Sequence, residues 1–201
     1  MGKLQDSEVF KHKRTRKLIN CEALLRSDRL SCMGVTIHFE GQLTNEAAYQ
    51  SLINLVSSFA NDHGWQTEPI ASDEVTLQRV RDEKDWDYTG PVRGIAVYLH
   101  PDCDPVRFEF DKNLYLQEFT KTQFAGAEYH LKVINLLRTA QPLFRELKVD
   151  DEGEFWDTGD LATLQDHLEK VEKIIQEMLK ENPAARAKVK TPEGRIMDLM
   201  K

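Results

Sequence analysis

The chain has 201 residues, 40% apolar and 30% charged, with 34 Asp/Glu against 27 Lys/Arg and a net charge of −7, the make-up of a globular, acidic protein. No apolar run approaches the ~20 residues of a membrane-spanning helix, and "MGKLQDSEVFKHKRTRKLIN" lacks the unbroken apolar stretch of a secretory signal. Three cysteines, Cys21, Cys32 and Cys103, without a C-x-x-C pair argue against a disulfide framework or zinc ribbon and for reduced thiols in the cytoplasm.

Residues 1–32 hold eight Lys/Arg and four Asp/Glu, a net of +4, so the total of −7 leaves −11 for residues 33–201. This divides the chain into a basic, loosely ordered N-terminal extension, 1–32, and a single α+β domain, 33–201. The extension has a weak nucleic-acid footprint, and the acidic body repels nucleic acid.

Alternation in "GVTIHFEGQL" predicts a half-buried strand with Val35, Ile37 and Phe39 inward and Thr36, His38 and Glu40 outward. Thr44 or Asn45 caps a helix whose Ala48, Leu52, Val56 and Phe59 form the apolar stripe and which Gly64 stops. "WQTEPIA" follows as a strand whose Pro69 places it at an edge, then a short strand "VTLQRV" and an exposed acidic loop, "RDEKDWDYTGP".

"YLHPDCDPVRFEFD" brings His100, Asp102, Cys103 and Asp104 together. Zinc takes its ligands from well-separated positions, whereas Pro and Asp serve a solvated turn, so no metal site is expected. A four-residue turn at 101–104 pairs Leu99 with Val106, Val97 with Phe108 and Ile95 with Phe110 on one face, and Tyr98 with Arg107 and Ala96 with Glu109 on the other. A three-residue loop 111–113, with Asn113 left-handed, then pairs Phe108 with Leu116, Glu109 with Tyr115 and Arg107 with Gln117. Residues 93–120 thus form an antiparallel meander in a mainly antiparallel sheet, with helices packed on its apolar face. Those helices are "GAEYHLKVINLLRTA", which partly buries His130, and a long one over 160–181, capped by Asp160 and stopped by Pro183. The narrow stripe of the second, Leu161, Leu164, Leu168, Val171, Ile175 and Met178, also suits a homodimer seam. "KVKTPEGRIMDL" closes the chain as a hairpin.

No nucleotide, hydrolase or metal motif is present, and no cofactor is expected. Two functional readings stand. The first is a small acidic cytoplasmic binding module, of immunity or antitoxin type, that engages a basic protein through Tyr98, Arg107, Tyr115 and Trp86. The second is an enzyme acting on a polar or anionic substrate at the polar sheet face, with His38 as general base, Glu40 or Glu109 tuning it and Arg107 clamping the anion.

Overall fold

The computed structural model describes residues 34–82, 84–192 and 194–197 in full, and 15–16 and 198–200 by their backbone. The basic extension lies outside the described residues except for Thr15–Arg16, which forms β1.

Val35, Ile37 and Phe39 are buried as their alternation requires, on and beside β2 (Thr36–Leu43). Asn45 then caps α1 (Glu46–Asp62), its side chain accepting from Ala48 N–H at 2.9 Å. Gly64, at φ 68°, turns the chain out of the helix. The two expected strands that follow are one: β3 (Gln66–Leu77) spans "QTEPIASDEVTL" with a bulge between Ser72 and Val75. The acidic stretch is not an open loop but a small hairpin, β4 (Val80–Arg81) and β5 (Lys84–Asp85).

β6 (Tyr88–Tyr98), β7 (Val106–Phe110) and β8 (Tyr115–Lys121) follow in succession over the expected range, but only β6 and β7 pair antiparallel. β8 pairs with β2, so the expected ladder of Phe108 with Leu116, Glu109 with Tyr115 and Arg107 with Gln117 does not form. The faces are as expected, but the register differs by two residues: Val97 faces Val106, Ile95 faces Phe108, and Ala96 faces Arg107. The connection is longer than a four-residue turn because Asp104 is held elsewhere, accepting from the N–H groups of Lys121 and Ile196. Nor is the turn solvated: Asp104 is 0% and Cys103 4% exposed. His100 Nδ1 accepts from Asp102 N–H, and Asp102 pairs with Lys188. Every side chain of the suspicious cluster therefore has a structural partner or a buried position.

Between β7 and β8 the ladder opens. Hydrogen bonds close it only at its ends, Asp104 N–H to Lys121 O and Asp111 N–H to Tyr115 O. At the turn, the Asp111 carboxylate accepts from the N–H groups of Asn113 and Tyr115, and the left-handed residue is Leu114 (φ 60°), not Asn113. Two antiparallel-rich sheets result, β1-β3-β6-β7 and β8-β2-β9, the last strand being β9 (Phe144–Asp151). β1 alone runs parallel to its neighbour, and β3 is otherwise an edge, as Pro69 demands.

α2 (Ala127–Ala140) buries Val133, Ile134, Leu137 and Ala140 as expected. With α1 it covers one face of both sheets in a core containing Phe39, Phe108, Phe110, Leu116 and Leu147. A second cluster, Ile70, Val75, Leu77, Val92 and Ala96, backs the first sheet. α3 (Phe155–Thr158) leads into α4 (Leu161–Glu181), capped by Asp160 as expected, and β10 (Arg186–Lys190) with β11 (Ile196–Met200) forms the closing hairpin.

Candidate functional site

Residues directly opposite on neighbouring strands point to the same side. The registers of β8-β2-β9 therefore put Tyr115, Gln117 and Phe119, then Gln42, Glu40 and His38, then Glu146, Lys148 and Asp150, in three rows on the face away from the core. Glu146, Lys148 and Asp150 are exposed. The side chains of His38 and Glu40 are 39% and 33% exposed. The sheet-face part of the sequence reading thus holds for this half of the site: His38, Glu40, Tyr115 and Gln117 share one surface.

Glu40 is its centre. Its Oε2 accepts from the Tyr115 hydroxyl at 2.9 Å and from Gln117 Nε2 at 2.7 Å, and Lys148 Nζ stands 4.0 Å from Oε1. Burial, together with the hydrogen bond to Glu40 and its charge, pushes the Tyr115 phenol up to about 12, so it remains a donor at neutral pH. His38 Nε2 lies 3.8 Å from Glu152 Oε1 and its ring packs on Phe119. Burial works to raise the Glu152 pKa, but bonding to His38 and to Thr36 N–H outweighs it and holds the carboxyl below the usual glutamate value.

Trp86, expected on a loose loop, folds onto the rim of this face and meets Tyr115 edge-on at 5.4 Å. Gln117 anchors the hairpin, accepting from Val80 N–H and donating to Val80 O. The key to the rim is Arg79, which the sequence reading passed over. It is 1% exposed, pairs with Asp111 at 2.7 Å, donates to Tyr115 O and lies against the Tyr88, Tyr115 and Trp86 rings. The hint was an arginine between Gln78 and Val80, close behind the buried Leu77 and followed by aromatics, "QRVRDEKDWDY".

The other expected site residues do not join this surface. Arg107 and Glu109 are 6% and 1% exposed, on the reverse of β7, and pair with each other at 3.5 Å. Opposite them β6 offers only Ala96 and Gly94, which leaves room for two long side chains to lie flat on the sheet. Arg107 is therefore no exposed anion clamp, and Glu109 does not tune His38. Tyr98 is on the first sheet, its hydroxyl donating to Glu68 at 2.6 Å.

A second polar centre is fully buried. His130 is 0% exposed, not partly buried; Thr122 Oγ1 lies 2.8 Å from its Nδ1, and its Nε2 meets the Asp151 carboxylate at 3.1 and 3.2 Å. Asp151 also accepts from the N–H groups of Gly153 and Trp156. The Thr-His-Asp order resembles a relay, but with no exposed end it ties α2, β9 and the 122–126 turn together. No protein-family model, curated protein or solved structure matches the chain.

Proposed function

We propose that this protein is a small acidic binding module of the cytoplasm, of immunity or antitoxin type, whose β8-β2-β9 face receives a basic protein partner. One observation carries the reading: Glu40, Glu146, Asp150 and Glu152 gather on or beside one sheet face with Lys148 in their midst, while the other cations, Arg195 over Phe119 and Arg81 over Trp86, stand at its edges. Around them the body carries −11, so the local field and the long-range field attract the same kind of partner. Tyr115 and Trp86 supply aromatic anchors of the kind such interfaces concentrate, while Phe119 lies beneath Arg195. The enzymatic alternative retains His38 with Glu152 and Glu40, but Arg107 is buried away from them, and that favours binding over catalysis.

The test is capture from native lysate by the native chain and by the doubly reversed variant Glu40→Lys/Asp150→Lys, both verified as folded by circular dichroism. The expected outcome is a basic protein retained by the native chain and lost by the variant. Identical capture by both, or an acidic captured protein, overturns the proposal. A second interface is carried by α4, where Leu161 and Ile174 are each 42% exposed: two copies associate along this helix.

A further inference from the structure

If the uncovered face takes a basic protein, as proposed above, the rim of that face shows where one of the partner's cations is seated. The Arg81 guanidinium lies 3.6 Å from the centroid of the Trp86 ring and 5.9 Å from that of Tyr115. Trp86 itself is 38% exposed, the indole standing edge-on to Tyr115, whose hydroxyl bonds Glu40. A flat indole face, a second ring and a half-exposed carboxylate within one corner are the components of a guanidinium-binding site.

The two arginines of this cluster differ in kind. Arg79 is sealed beneath the rings and its charge is matched by Asp111. Arg81 is exposed, and among the described residues it makes no ion pair. Its hold on the corner is the stack on Trp86 and the contact to the Tyr115 ring. An exposed stack of this type is weak, so its occupant is exchangeable.

We propose that the Trp86–Tyr115–Glu40 corner is an arginine subsite, filled in the free chain by the protein's own Arg81 and taken over by a guanidinium of the basic partner. Arg81 then acts as a built-in competitor. A planar guanidinium lies flat on the indole, with the Glu40 charge beyond the Tyr115 hydroxyl, whereas a compact ammonium offers the ring no flat face, so the subsite selects arginine over lysine.

Calorimetric titration with hexa-arginine and hexa-lysine peptides at low salt tests this on the full chain. Removing the competitor in Arg81→Ala is expected to tighten hexa-arginine binding about threefold, and Trp86→Leu to weaken it about tenfold, the scale of one lost aromatic anchor, with hexa-lysine changing less in both. Since Trp86 also packs the hairpin, Glu40→Gln, which keeps every ring, is the companion variant and is expected to weaken hexa-arginine binding as well. Unchanged or weaker binding by Arg81→Ala overturns the inference, because Arg81 then only pins the hairpin. Equal effects on both peptides overturn it too. Should the native chain bind neither peptide, the basic-partner reading falls with it; should it bind while all three variants match it, that reading stands and the subsite alone is lost.

Discussion

Asp151 is 5% exposed and accepts three hydrogen bonds, from His130, Gly153 N–H and Trp156 N–H. Burial works to raise its pKa, but the bond and charge of His130 and the two amides outweigh it and hold the carboxyl below its ordinary 3.8. A depressed folded pKa contributes stability that is complete above the unfolded value and drains away as pH falls through the folded one. Urea unfolding of the native chain should therefore lose stability below about pH 4, and Asp151→Ala should lose a smaller increment there while costing roughly 3–5 kcal/mol at pH 7, the penalty for stranding one half of a buried pair. A variant within 1 kcal/mol of native at pH 7 would contradict the assignment of Asp151 as the tie. Asp104 has the opposite sign: burial raises its pKa, so its ionisation opposes folding and protonation relieves the cost. None of this was visible along the chain. Alternation places polar residues outward, whereas Arg79, Asp104 and Asp151 are buried with partners that a local window does not contain: Asp111, Ile196 N–H and His130. His130 was the exception, because its place on the apolar stripe of a helix already implied burial.

At the level of strands and helices, period gives faces and caps give ends. The α4 boundaries follow from Asp160 and Pro183, and the inward set of β2 follows from alternation. The β6–β7 pairing shows where such reasoning stops. A two-residue slip leaves every face unchanged, so the apolar pattern could not detect it; the loop length decided it, and that loop is held by residues of β8 and β11. Gly94 gives the observed register an independent check. Its φ is 157°, and a Cβ there would lie 1.7 Å from Phe108 O on the neighbouring strand. Gly94→Ala must push β6 from β7 and should cost about 2 kcal/mol or more, read as a shifted urea midpoint at unchanged slope. Gly126→Ala meets nothing within 4 Å and bears only the strain of its φ of 86°, so it should cost about 1 kcal/mol. Equal costs would mean that the strands do not approach as described.

At the scale of the whole molecule, the two proposed interfaces predict opposite responses to salt. The −11 of residues 33–201, evident from composition alone, is a field that favours approach by a basic protein over approach by a second copy. Along α4 five acids and three lysines alternate over residues 161–181, a net of −2, beside an apolar stripe of which only Leu164 and Ile175 are buried. Leu168, Val171 and Leu179 line a groove between this helix, β10 and Phe124, and Ile174 stands exposed at the side of the stripe. Screening weakens attraction between unlike charges and repulsion between like ones alike. The proposed binding of a basic protein to the β8-β2-β9 face should therefore weaken as salt rises, while the proposed association of two copies along α4 should strengthen. Sedimentation equilibrium at low and at ~0.5 M salt, where the Debye length falls below about 5 Å, should show dimer increasing with salt for the native chain. Ile174→Lys should remain monomeric at both, with an unchanged unfolding midpoint because the replaced side chain is already exposed. A native chain that stays monomeric at every salt concentration, or a dimer that survives the lysine, removes α4 as an interface and leaves its half-covered stripe as the outer wall of the groove against β10.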